Sequence, residues 1–221
     1  MSIEANIQAV QKRIARAAKR AGRSPGDVTL VAASKTVSPS GIRSAVGTGL
    51  RHFGENRVQE AAGKMDDLTD LRPDLIWHMV GHLQTNKAGA ALNLFDIIES
   101  VDSLRLARAL SARAEKPLPI LLEVNVAAEA SKTGFSPGEL TSAVPKISGL
   151  PHLRVLGLMT IAPPAPDPED ARPVFRTLKG LAGSLGLNVL SMGMSEDFEV
   201  AVEEGATLVR VGRAIFGERK V

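Results

Sequence analysis

Lys35 is the residue whose type and position best suit covalent chemistry. It closes the apolar run VTLVAASK (residues 28–35), which has the composition of a β-strand and is followed directly by a turn. A lysine at such a strand end keeps its stem in the core. Burial lowers the pKa of its amine, so that the neutral form can attack a carbonyl. The alternative is a lysine that extends from the strand end to solvent.

Two segments near the C-terminus have the composition of an anion site. Ser195 ends one apolar run and precedes a helical stretch, and Gly212 and Arg213 do the same after the next run. Backbone N–H groups at two helix starts, a hydroxyl and a glycine that permits close approach suit a phosphate dianion. The alternatives are an ordinary helix N-cap for Ser195 and a plain strand-to-helix turn for Gly212.

Arg210 lies within the last apolar run, on the same strand face as Gly212. A buried arginine needs an acceptor, because its five N–H donors cannot be left unpaired. Arg210 therefore either pairs with a carboxylate such as Glu123 or donates to a ring nitrogen of a ligand.

The remaining polar candidates are weaker. His78 and His82 are four residues apart on a predicted strand, about 13 Å at roughly 3.3 Å per residue, which is too far for one shared metal ion. Asn56 ends another run and either binds a ligand hydroxyl or caps the next helix. Lys132 is either an anion contact or a solvated loop lysine.

The elements that must position these residues alternate regularly along the chain. The predicted strands are 28–35, 50–56, 76–82, 95–102, 119–126, 153–161, 189–194 and 207–212. Helices are predicted between them at 39–49, 57–70, 86–93, 103–115, 136–147, 169–185 and 196–204, with a short turn near 214–217. Eight strands alternating with helices predict a closed (β/α)₈ TIM barrel of the α/β class, and an open doubly wound sheet is the alternative.

The N-terminal residues 1–24 are predicted to form an extra helix packed on the barrel, because Ile3, Ile7, Val10 and Ile14 follow a helical period. The whole chain, 1–221, is then a single domain. An arginine-rich transit peptide is the alternative for this segment. The expected location is the cytoplasm.

Composition excludes several classes of function. The 221 residues contain no cysteine, which rules out thiolate nucleophiles, disulfides and cysteine-ligated zinc. With no tyrosine, one tryptophan and 27 basic residues interspersed among 24 acidic ones, nucleic-acid binding is not expected. No apolar run approaches the roughly 18 residues of a membrane span, so no membrane partner is expected either.

A reactive lysine and a phosphate cradle at one barrel mouth together describe pyridoxal 5′-phosphate (PLP). The aldehyde of that cofactor needs an amine, its phosphate needs backbone donors, and its pyridine nitrogen needs a partner.

Six motifs support this cofactor: LVAASKTVSP, HFGENRVQE, WHMVGHLQTNK, EVNVAAEASKTGF, GLMTIAP and LSMGMSEDFEVAVEEGATLVRVGRAIFG. In this order, over about residues 28–217, the chain resembles the pyridoxal-phosphate homeostasis protein family (YggS/PROSC type), which is similar to the barrel domain of alanine racemase.

The resemblance implies a cytosolic, mostly monomeric barrel that holds PLP as a Schiff base on Lys35. It further implies that Ser195, Gly212 and Arg213 hold the phosphate, that Arg210 faces the pyridine nitrogen, and that Asn56 lies beside the ring. Arg213 departs from the family pattern, in which threonine or serine is more common. The backbone N–H of Arg213 can still serve the phosphate, but a hydroxyl contact is lost.

Efficient catalysis is not expected, and no catalytic residue is assigned. An arginine keeps its proton, so the pyridine nitrogen stays unprotonated and the ring is a poorer electron sink. Racemisation also needs a second acid/base, and the chain has no tyrosine to supply one. We therefore expect a PLP carrier that transiently meets PLP-dependent apoenzymes. The alternatives are a PLP-dependent racemase, with His78 or His82 as the second base, and a sugar-phosphate enzyme acting through a Schiff base on Lys35.

Overall fold

Eight parallel strands, each followed by a helical segment, close into a barrel in chain order. The computed structural model describes residues 2–129 and 132–217. The strands are β1 Thr29–Ala33, β2 His52–Glu55, β3 Ile76–Met79, β4 Ile97–Val101, β5 Leu118–Glu123, β6 Leu153–Met159, β7 Val189–Ser191 and β8 Leu208–Val211. Strand β1 pairs with both β2 and β8, which closes the sheet. The predicted (β/α)₈ barrel is thus confirmed, and the open doubly wound sheet is excluded.

The helices cover the outside of the barrel. They are α1 Ile3–Arg20, α2 Pro39–Gly47, α3 Val58–Asp66, α4 Ala88–Leu94, α5 Leu104–Ser111, α6 Pro137–Ser148, α7 Arg172–Ser184, α8 Phe198–Glu203 and α9 Arg213–Phe216. Local sequence explains where several begin. Ser38 caps α2 by accepting a hydrogen bond from the amide of Gly41, and a proline follows it at the first helical position.

The core has two parts. Most buried apolar side chains lie between the sheet and the helices, as expected for a barrel. Inside the barrel, the fully buried Val31, Leu121 and Met159 share the space with the polar side chains of His78 and Glu99. Strands buried on both faces usually read as uniformly apolar, so this polar interior is unusual.

Helix α1 packs on the barrel next to α8, α9 and α2, as predicted for the N-terminal segment. Ile7, Val10 and Ile14 are buried on one face. The side-chain amide of Asn6 donates a 2.8 Å hydrogen bond to the carbonyl of Ile215 in α9. In the described ranges, no helix is both long and apolar enough to span a bilayer.

Candidate functional site

A cavity of about 1030 Å³ opens where the carboxyl ends of β1, β6, β7 and β8 meet. It brings together five of the six residues predicted for the cofactor site: Lys35, Ser195, Arg210, Gly212 and Arg213. The proline-rich loop that follows β6 also lines it. Because parallel strands all end at the same side of a barrel, strand-end residues far apart in sequence meet here.

The backbone around Lys35 is held from helix α3. The ammonium of Lys64 donates a 2.7 Å hydrogen bond to the carbonyl of Ser34, and the amide of Thr36 donates one of 2.7 Å to Oε1 of Glu60. Thr36 has a φ of +64°, in the left-handed region that costs an L-residue about 1–2 kcal/mol. The half-buried Lys35 therefore sits between two anchored residues, one of them strained.

A buried ion pair between Lys64 and Glu55 holds Ser34, the residue before Lys35, in place. Nζ of Lys64 lies 2.6 Å from Oε1 of Glu55, and the hydroxyl of Ser34 donates to the same oxygen at 2.7 Å. Burial raises the pKa of Glu55, while the hydrogen bond and charge of Lys64 oppose that rise. Sequence analysis missed this cluster. The spacing of Glu60 and Lys64, four residues apart, places them on one helix face but does not show what that face contacts.

Ser195 connects the loops that follow β7 and β8. Its Oγ accepts a 3.4 Å hydrogen bond from the amide of Ala214 in the first turn of α9. The N-cap of α8 is Asp197, so the N-cap alternative for Ser195 is wrong. The Ser195 hydroxyl and the start of α9 therefore belong to one polar corner of the cavity.

The glycines of these loops allow the close approach. A Cβ on Gly212 would lie 3.1 Å from the carbonyl oxygen of Ala33, so β8 and β1 pack tightly here. Gly193 has a φ of +91°, and a Cβ on it would lie 2.5 Å from Cβ of Ala201. Only glycine fits at Gly193 without a shift of the backbone.

Arg213 presents its backbone and its side chain in different directions. Its amide lies in the first turn of α9, where N–H groups have no helical partner. Its guanidinium lies 3.1 Å from a carboxylate oxygen of Glu196, and the two side chains are 61% and 69% exposed. The guanidinium thus belongs to an exposed ion pair at the rim.

Arg210 is buried at the base of the cavity. Its Nη1 donates to the hydroxyl of Ser191 and its Nη2 donates to the carbonyl of Thr160 at 2.8 Å. The carboxylate paired with it is Glu99, at 3.8 Å, and no Arg210–Glu123 ion pair occurs within residues 2–129 and 132–217. Burial lowers the pKa of Arg210, and the charges of Glu99, Asp197 and Glu123 oppose that shift. The alternative that Arg210 pairs with a carboxylate is therefore confirmed, but that carboxylate is Glu99 and the suggested Glu123 is wrong.

The other sequence candidates lie outside the cavity or at its edge. Asn56 and His82 line a separate pocket of about 420 Å³ near the ends of β2 and β3, and Nδ1 of His82 lies 2.8 Å from a carboxylate oxygen of Asp102. His78 is fully buried inside the barrel against Glu99. Lys132 lines the cavity and forms an ion pair with Glu129.

Comparison with known proteins places this geometry among its relatives. Residues 5–220 match the family model described as "Alanine racemase, N-terminal domain". Two proteins, each named pyridoxal phosphate homeostasis protein, are 46% identical (Aquifex aeolicus, 97% of both chains) and 44% identical (Pseudomonas aeruginosa, 99% of this chain and 96% of the other). The structure of PipY from Synechococcus elongatus with PLP bound is 37% identical, with a TM-score of 0.86 over 98% of this chain and 100% of that one.

Proposed function

This chain belongs to the alanine racemase N-terminal domain family and, within it, to the pyridoxal phosphate homeostasis proteins, and on that premise we propose that it binds PLP in the large cavity and serves in intracellular PLP homeostasis. The observation that carries the proposal is that Lys35 and the polar corner of Ser195 and Gly212 line one cavity. The cavity volume, about 1030 Å³, is at the upper end of the roughly 300–1,000 Å³ common for small-molecule sites.

The five predicted cofactor residues that line the cavity are each given a role that their surroundings support. The amine of Lys35 forms a Schiff base with the aldehyde. The hydroxyl of Ser195 and the backbone N–H groups of the Gly212–Arg213 turn bind the phosphate. Arg210, anchored through both terminal nitrogens, faces the pyridine nitrogen. Asn56 lines the neighbouring pocket, so its place beside the ring stays a prediction.

The same residues favour carriage over turnover. Bound PLP supplies an electrophilic aldehyde and an electron-withdrawing ring. Arg210 keeps its proton, which leaves the ring nitrogen without one. A second acid/base would have to face Lys35, yet His78 and His82 are both engaged with carboxylates away from the cavity. We infer a cytoplasmic, monomeric carrier that exchanges PLP with PLP-dependent apoenzymes, without efficient catalysis.

Covalent trapping tests the assignment of Lys35. PLP added to the protein should give a visible absorbance band that borohydride fixes on the peptide containing Lys35. Lys35→Arg, which keeps the charge but cannot form the link, and Lys35→Ala should both lose the band. Lys146→Ala, on the exposed face of α6, should keep it.

Two outcomes contradict the proposal. Trapping on another lysine, such as Lys132 of the same cavity, would remove the site assignment. The protein can be incubated with L-alanine or L-serine and the products separated by chiral chromatography. Sustained turnover to the D-amino acid would establish a racemase instead of a carrier.

A further inference from the structure

A continuous chain of polar side chains crosses the interior of the barrel. Nδ1 of His52 lies 3.0 Å from Nε2 of His78, whose Nδ1 lies 2.6 Å from Oε1 of Glu99. The hydroxyl of Ser191 donates a 2.5 Å hydrogen bond to Oε2 of Glu99 and accepts one from Arg210. The chain therefore joins five strands: β2, β3, β4, β7 and β8.

The chain connects the start of β2 to the cavity. His52 is the first residue of β2, at the amino-terminal end of the strands, and Arg210 lines the cavity at the carboxyl end. The three residues that lie between these two ends, His78, Glu99 and Ser191, are fully buried. Burying so many polar groups is costly unless each finds its partner, so a chain with this many contacts holds its members in place.

Glu99 is the centre of the chain. Its two oxygens are used on opposite sides, one by His78 and the other by Ser191, with the guanidinium of Arg210 3.8 Å away. Burial alone raises the pKa of Glu99, but His78, Arg210 and Ser191 together hold it below its ordinary value. The direction of this shift favours the ionised carboxylate, which lies between His78 on one side and Ser191 with Arg210 on the other.

The remaining charged groups near Arg210 are less directly placed. Glu123 accepts a hydrogen bond from Thr133, and Asp197 accepts one from the amide of Met194. Neither carboxylate forms an ion pair with Arg210 in the part of the chain that the structure describes. Glu99 is therefore the carboxylate whose contacts fix the guanidinium.

We propose that Glu99, held by His78 and acting through Ser191, is a positioning residue that fixes the guanidinium of Arg210 at the base of the cavity. This inference rests on the proposed function, since the guanidinium is what meets the ring end of the cofactor there. Loss of the Glu99–Ser191 contact frees Arg210 to move, and both the environment and the affinity of the bound ring change.

The first test uses the protein without PLP. The guanidinium N–H protons of Arg210 should exchange slowly with solvent in the wild type. They are observed through the ¹⁵N-resolved NMR signals that disappear in Arg210→Lys. In Glu99→Gln and Ser191→Ala they should exchange at least about tenfold faster, which corresponds to the loss of one hydrogen bond to a charged group. Ser111→Ala, which removes a buried serine hydroxyl bonded to the carbonyl of Pro151 outside the barrel, should leave them unchanged.

The second test uses the PLP-loaded protein. Glu99→Gln and Ser191→Ala should each shift the absorbance maximum and raise the Kd by about three- to tenfold, the scale of one ordinary hydrogen bond, because the cofactor feels the loss only through Arg210. The double variant should match Ser191→Ala alone, because Glu99 acts on Arg210 through Ser191 and removal of that hydroxyl already breaks the link.

Wild-type guanidinium signals and a wild-type absorbance band in both variants would overturn the proposal. If Glu99→Gln fails to fold, Ser191→Ala decides by the same two readouts. A wild-type protein that binds no PLP would overturn the proposed function instead, and the cofactor-free measurement would still decide the role of Glu99.

Discussion

At the scale of single residues, the backbone and the side chain of Arg213 are expected to contribute differently to the cavity. Its amide belongs to the polar corner of the cavity, whereas its guanidinium pairs with Glu196 at the rim. Exposed ion pairs of this kind contribute about 0–1 kcal/mol. The side chain is therefore expected to matter little for the phosphate, although the position itself matters.

Arg213→Ala should leave the Kd for PLP within about threefold and the free energy of unfolding within about 0.5 kcal/mol, as is usual for a surface substitution. Isothermal titration and urea unfolding measure the two quantities. Gly212→Ala is the contrasting variant, because its Cβ would meet the carbonyl of Ala33 at 3.1 Å. It should raise the Kd by about tenfold or more, since an overpacked contact costs about 1–3 kcal/mol. A large loss of affinity in Arg213→Ala would mean that the guanidinium itself holds the phosphate.

Sequence could predict which residues meet at the cavity because strand ends are readable from apolar runs. Lys35, Ser195 and Gly212 each end such a run, and a parallel barrel brings those ends together. The partner of Arg210 was not predictable in the same way. Contacts across a barrel interior depend on how the strands are staggered, and Glu99 lies in a run that reads as an ordinary strand.

At the scale of elements, helix α3 fixes the backbone that carries Lys35. Glu60 and Lys64 project from one face of α3 to the residues on either side of Lys35. The left-handed conformation of Thr36 persists because Glu60 accepts a hydrogen bond from its amide. Such strain is stable only where the surrounding structure imposes it.

Glu60→Ala should lower the free energy of unfolding by about 1–2 kcal/mol, because a hydrogen bond to a charged group is lost at a strained residue. The Kd for PLP should also rise, because Lys35 is less well placed. In a Thr36→Gly background, where the left-handed conformation costs nothing, the same substitution should have about half the effect. Urea unfolding and spectroscopic titration of the wild type, the two single variants and the double variant complete this double-mutant cycle. Equal effects in both backgrounds would show that Glu60 does not act on Thr36.

The elements themselves were predictable to within a few residues at each end. The third strand was expected at 76–82 and ends at Met79, and Gly81 and His82 beyond it line the smaller pocket. The eighth helix was expected to begin at 196 and begins at Phe198, because Ser195 bonds to α9 instead of capping α8. Sequence periodicity does not show such contacts between separate loops, nor the packing of α3 against the segment around Lys35.

At the scale of the whole molecule, a network of ion pairs ties the N-terminal helix to the last part of the barrel. Arg172 at the start of α7 pairs with Glu169, Glu203 and Glu204, and Arg20 of α1 pairs with Glu203. Because α1 also bonds to α9 through Asn6, the network lies next to the elements that form the polar corner. Its contribution should appear in the stability of the entire fold.

The network predicts a specific dependence of stability on pH. Burial by itself raises the pKa of Glu203 and Glu204, but the hydrogen bonds from their arginine partners hold both below the ordinary value. The unfolded chain therefore binds more protons than the native one near these groups. Their stabilisation is fully present above the unfolded pKa, about 4.3, and is lost as pH falls through the lower native pKa.

Arg172→Gln removes the centre of this network. At pH 7 it should lower the free energy of unfolding by about 1–2 kcal/mol, since three partly exposed pairs contribute roughly 0.2–1 kcal/mol each. The difference from wild type should shrink as pH falls from about 5 towards 3, and also in about 1 M salt, which screens exposed charges. Arg43→Gln, which breaks the exposed pair with Asp70 and a hydrogen bond to the carbonyl of Asp67, is the control and should change stability less at pH 7. Urea unfolding across this pH range measures both. An Arg172→Gln difference that is as large at pH 3 as at pH 7 would show that Arg172 stabilises the fold by packing, because a charge network must weaken once its carboxylates are protonated.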